Sequence, residues 1–166
     1  MPDVQLRQRE ARLVYLATIY HLGRPGSEVD PVTRQPHRLG LGPIREVLES
    51  SFETQAAQAT VTLALSEYQV SRLGEALLGL VNELKQVALS GRSVVAGLME
   101  ALGRLFPDEV PPDDPSGAMD LAGEATMLRR RLTTAIREAE TAIEEARATA
   151  QAALRPSRPW WKWWAR

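Results

Sequence analysis

Apolar positions recur at helical spacing along most of the chain. In residues 4–22, Leu6, Leu13, Leu16 with Ala17, and Tyr20 follow at intervals of seven, three and four, which keeps them on one helix face. Arg7, Arg9, Glu10 and Arg12 fill the other side of the first half. Gly23, with Pro25 close behind, supplies the stop. From Gly23 to Pro43 the periodicity disappears. Gly23, Gly26, Gly40 and Gly42 alternate there with Pro25, Pro31, Pro36 and Pro43, the composition of a long irregular loop.

Pro43 suits the first turn of a new helix. The apolar series then runs Ile44, Leu48, Phe52, Ala56, Ala59, Leu63, Val70, Leu73, Leu77, Leu80, Leu84 and Val87, nearly in phase to Gly91. One reading is a single long or kinked central helix of about 45 residues, roughly 70 Å at 1.5 Å per residue. In the other reading, Thr60–Leu65 alternates as a short strand, and Ser66 with Gln69 forms a capping box that opens a separate helix. The single helix is the expectation, because a lone strand leaves its backbone groups unpaired and no second strand stands out. Val94, Leu98, Leu102 and Leu105 mark a shorter helix that stops at Pro107.

Residues 107–117 read as an acidic, Pro-rich linker. Four prolines forbid a helix there and four carboxylates keep it solvated. Residues 118–154 form the strongest helix, amphipathic and with Asp120 as its cap. One heptad position holds Ala125, Leu132, Ala139, Ala146 and Ala153. The other holds Leu128, Ala135, Ala142 and Thr149, flanked by Ile136 and Ile143. Such a seam of small residues allows close helix approach but buries little area per residue, so its expected partner is the bulkier face of the core.

The expected fold is all-α: an elongated up-down helical bundle with one long or kinked central helix and a C-terminal amphipathic helix. The alternative keeps a short strand at 60–65. The expected organisation is a helical core region at 1–106, the linker at 107–117, the helix packing on that core at 118–154, and a tail at 155–166. A 70 Å rod has more apolar face than two shorter helices can cover, so a homo-oligomer is expected.

Composition removes whole classes of chemistry. With no cysteine there is no disulfide framework, thiolate metal site or cysteine nucleophile. The two histidines, His21 and His37, match no compact ligand spacing with Glu28 and Asp30. There is no nucleophile elbow, P-loop or dinucleotide fingerprint. The glycines of Gly40-Leu41-Gly42-Pro43 read as a turn into the next helix. Glu46, Glu49 and Glu53 lack the Glu-x-x-His partners of a bundle metal site and read as a solvated face. Arg129, Arg130 and Arg131 fan around their helix and suit docking of the acidic linker better than binding nucleic acid. No enzyme activity, cofactor, metal or small-molecule substrate is expected. No long apolar run occurs, and residues 1–10 lack the pattern of a secretory signal, so the expected location is the cytoplasm, with a peripheral membrane association as the variant.

Charge isolates the tail. Residues 155–166 carry four basic groups and no acid, whereas residues 1–154 carry 16 basic and 21 acidic groups. The tail also holds all four tryptophans of the protein, Trp160, Trp161, Trp163 and Trp164, beside Arg155, Arg158, Lys162 and Arg166. These eight residues are the candidate binding site. In composition the segment resembles short Trp-rich cationic membrane-active peptides. Its indoles and cations suit packing within the oligomer, a protein groove, an anionic membrane surface and, less well, single-stranded nucleic acid. The function expected is a non-enzymatic, self-associating helical interaction protein with a docking tail. The alternatives are a peripheral membrane protein and an accessory single-stranded nucleic-acid binder.

Overall fold

Helix α1, Gln8–Leu22, lies at the centre of the fold. The computed structural model describes residues 3–24, 40–54 and 60–154. The chain divides into two compact units, Met1–Thr133 and Thr134–Arg166. In the first, Ala11, Leu13, Val14, Tyr15, Leu16, Ala17, Thr18 and Ile19 are all buried, so α1 is enclosed on nearly every side rather than along one stripe. Helices α2 (Gly42–Thr54), α3 (Glu67–Ser90) and α4 (Leu98–Leu105) each pack on it. The buried Thr18 hydroxyl satisfies itself by donating to the Tyr15 carbonyl at 2.7 Å.

Two short strands cover the start of α1. β1, Asp3–Arg7, pairs antiparallel with β2, Thr60–Ala64, placing Leu6 opposite Val61 and Val4 opposite Leu63. Leu6, Val61 and Leu63 are buried, with exposed residues between them in β2, the alternation that a half-buried strand requires. The single helix expected over residues 44–90 is therefore not formed. Thr60-Val61-Thr62 is β-branched, and it finds the partner that sequence reading lacked in the first residues of the segment expected to be the N-terminal helix. Leu6 joins the apolar face of α1 in sequence but enters the core from β1. The mostly helical character of the fold stands.

Several local signals act as expected. The Ser66 Oγ accepts from the Gln69 backbone N–H at 3.2 Å, and the Gln69 side chain accepts from the Ser66 N–H at 3.0 Å, completing the capping box. α3 ends at Gly91, whose φ of 67° is left-handed and natural to glycine. Pro43 sits in the first turn of α2, and Leu41 just before it is fully buried.

The acidic segment 107–117 is mostly exposed but pinned at Val110, which is buried and whose N–H donates to the Phe106 carbonyl at 2.9 Å. A short 3-10 turn, Pro115–Gly117, leads into α5, Ala118–Leu154. Ala118, Leu121, Ala122, Ala125, Leu128 and Leu132 bury the inner face of α5 within the first unit.

Glycine positions separate open from closed backbone. A Cβ at Gly117 would collide with the Glu109 carbonyl oxygen, whereas one at Gly103, inside α4, would meet nothing within 4 Å. Gly117→Ala is expected to lose about 1–3 kcal/mol of stability by overpacking against backbone. Gly103→Ala should gain about 0.5–1 kcal/mol from lower unfolded-state entropy and better helix propensity. Leu16→Ala, at the enclosed face of α1, should lose about 2–5 kcal/mol. Urea denaturation followed by circular dichroism orders the three.

Candidate functional site

The tail residues expected to bind, Arg155, Arg158, Trp160, Trp161, Lys162, Trp163, Trp164 and Arg166, lie outside the described residues, as does His37. Among the described residues, no group of three or more His, Asp or Glu side chains has the arrangement to hold a metal ion, and His21 is buried at the end of α1. No helix of the described residues is long and apolar enough to cross a membrane.

Within Met1–Thr133, arginines join α1, the acidic segment and the start of α5. The Arg9 guanidinium grips Glu124 through two N–H groups, at 2.6 and 2.8 Å, and donates a third to Glu109 at 2.6 Å. It also lies 5.4 Å from the centre of the buried Phe106 ring. This forked arrangement suits arginine and not lysine. Arg12 donates to the Leu105 carbonyl at 3.1 Å, fixing the end of α4. Arg131 from α5 and Arg7 from β1 both bond to Glu10, at 3.0 Å each. Arg129 donates to the Gly74 carbonyl at 3.1 Å. Arg129 and Arg131 thus bond to α3 and α1. Arg9 bonds to the acidic segment through Glu109.

These pairs set the charge states. Burial pushes the Glu10 carboxyl upward, but the Arg7 guanidinium, the Arg7 backbone N–H and Arg131 together hold it below the usual carboxylate range. Glu109 is held low by its hydrogen bond to Arg9. Arg9 is raised by its bonds to Glu124 and Glu109.

A second cluster lines an open cleft of about 400 Å³ between α2 and α4, with α1 as its floor. Tyr15 is buried in α1, and its ring meets Phe52 edge-on at 5.6 Å. Its hydroxyl donates to Glu49 of α2 at 2.7 Å and accepts from Arg104 of α4 at 3.0 Å. Arg45, one turn before Glu49, is 3.8 Å from it, an ion pair longer than a hydrogen bond. Glu100, one turn before Arg104, also lines the cleft. Among the described residues the Glu100 side chain makes no hydrogen bond or ion pair. Sequence reading missed this cleft. Arg45 with Glu49 and Glu100 with Arg104 have the spacing of ordinary solvated helix pairs, and nothing in either pair signals that both helices flank one tyrosine.

Because Glu10 and Glu109 have folded-state acidities below their unfolded ones, their stabilisation is present above the ordinary carboxylate range and is lost as pH falls through the depressed folded values. Urea midpoints should fall between about pH 5 and pH 2.5. Glu10→Gln should start lower at pH 7 and show a shallower acid fall than the parent. An equally steep fall in the variant would show that Glu10 is not among the groups responsible. Comparison of the chain with family models, curated proteins and solved structures finds no match.

Proposed function

We propose that this protein is a non-enzymatic helical interaction protein that self-associates through the second half of α5 and docks through the Trp-rich basic tail. The observation that carries the reading is the register of α5. Ala125, Leu128 and Leu132 are buried, and the same two heptad positions continue as Ala135, Ala142, Ala146 and Thr149, which are exposed, beside Ile143 at 52% exposure. A seam maintained in phase beyond the covered turns is the pattern of a helix with a second partner, and small residues at its centre let two helices approach closely. Glu138 and Glu145 fall on one flank of the seam and Ile136, Ile143 and Ala150 on the other. Parallel pairing sets the glutamates against apolar residues, whereas antiparallel pairing sets glutamate against glutamate, so parallel is the favoured sense.

Parallel pairing also places two copies of residues 155–166 at the same end, which raises their joint avidity without any new contact. The tail's four indoles and four cations in twelve residues support a docking role. The same composition supports the second reading, a tail that inserts at an anionic membrane surface.

Sedimentation equilibrium tests the first reading. The full chain should behave as a dimer or larger, and Ala142→Glu with Ala146→Glu should give a monomer, while Arg147→Glu, off the seam, should not. A monomer mass for the parent at all concentrations rejects self-association. Deleting residues 155–166 should leave the melting temperature of the body within about a degree, since that body holds its own core. Every tryptophan lies in the tail, so indole fluorescence reports on the tail alone. A blue shift with anionic vesicles, together with co-sedimentation that the deletion abolishes, moves the assignment to the membrane reading. Quenching by a single-stranded oligonucleotide, weakened steeply by salt, moves it to nucleic acid.

A further inference from the structure

The cleft above Tyr15 carries two opposite charges that its internal hydrogen bonds leave unspent. Tyr15 consumes Glu49 and Arg104, accepting from the guanidinium and donating to the carboxylate. Arg45 and Glu100 remain. Arg45 sits 3.8 Å from Glu49, too far for a hydrogen bond, and Glu100 pairs with no described residue. Arg45 and Glu100 form no ion pair with each other, though both line the same cleft. The apolar part of the lining comes from Ile19 and Ala101, both buried, and half-buried Leu22. Gly97 on the α4 side leaves space, since a Cβ there would meet nothing within 4 Å.

We infer that this cleft binds a small zwitterion, an α-amino acid with an apolar side chain. Arg45 takes the carboxylate, Glu100 takes the ammonium, and the side chain lies on Ile19, Leu22 and Ala101. A simple anion on Arg45 would leave Glu100 without a partner, and a simple cation on Glu100 would leave Arg45 with only its long contact to Glu49. A neutral apolar ligand would desolvate both without compensation. A ligand carrying both charges satisfies both groups, and the planar guanidinium fork matches a carboxylate. A volume of about 400 Å³ falls in the range of small-molecule sites and has room for one amino acid with water beside it. This inference does not depend on the tail or on self-association.

The test is a titration of the isotope-labelled full chain with L-leucine, N-acetyl-L-leucine and L-leucinamide, read by amide chemical shifts. Leucine should shift amides of residues 15–22 and 96–104 saturably. Each capped compound, lacking one charge, should bind at least about tenfold more weakly, because one cleft charge is left unpaired. Arg45→Gln should erase the preference for leucine over leucinamide, and Glu100→Gln the preference for leucine over N-acetyl-leucine. Both side chains extend from helix surfaces, and unchanged circular dichroism establishes that the variants are folded. Absence of saturable shifts, equal binding of either capped compound, or variants that keep both preferences would overturn the inference.

Discussion

The enclosure of α1 governs the architecture of the first unit. A helix with buried residues at eight of the nine positions from Ala11 to Ile19 has almost no face to give to water, so the neighbouring elements are spent on covering it. α2, α3 and α4 supply three sides, and the β1–β2 pair closes over its start. Of the polar groups that accompany α1 inward, Thr18 is satisfied within the helix and Glu10 and Tyr15 by residues of other elements, and no buried side-chain polar atom among the described residues lacks a partner. Its two ends differ. At the start, long arginines reach outward from the helix to carboxylates and carbonyls on later elements. Further along, Tyr15 extends its hydroxyl between α2 and α4 and defines the floor of the cleft.

Much of the local structure was legible in the sequence because it rests on local chemistry. The Ser66–Gln69 box, the Gly91 terminus, Pro43 in the first turn of α2 and the inward face of α5 each follow from residues within a few positions of one another. The strand pair was not legible, because its stability is non-local. Residues 3–7 carry only Val4 and Leu6 as apolar groups, and their alternation merges into the helical spacing that follows. Only pairing with Thr60–Ala64 decides between the two periods. The centrality of α1 was obscured for a related reason. Arg7, Arg9 and Arg12 suggest a solvated face, yet their long side chains leave the helix start and end on Glu10, Glu109, Glu124 and the Leu105 carbonyl. The cleft has no sequence signature at all, because each of its charged pairs is indistinguishable from a surface pair until Tyr15 joins them.

Along α5 the seam changes character. Up to Leu132 its seam has bulky residues at Leu121, Leu128 and Leu132, suited to fill space against large neighbours. From Ala135 onward the seam is small, with isoleucines to one side. Small seams bury little area per residue, so they stabilise only where they continue over several turns and approach closely. That requirement fits a second copy of the same helix and accounts for the persistence of the register over the exposed residues. The cationic indole tail follows directly from Leu154, so any pairing of the seam sets the number of tails presented together.

Under the proposed self-association α5 has two covers, its own chain for residues 118–132 and a second copy for residues 134–154. Hydrogen–deuterium exchange at a series of protein concentrations separates the two covers. Amides of 118–132 should show protection independent of concentration, because intramolecular packing covers them. Amides of 134–154 should gain protection as concentration rises and lose it on dilution. Protection in 134–154 that does not change with concentration would rule out a second copy as the cover.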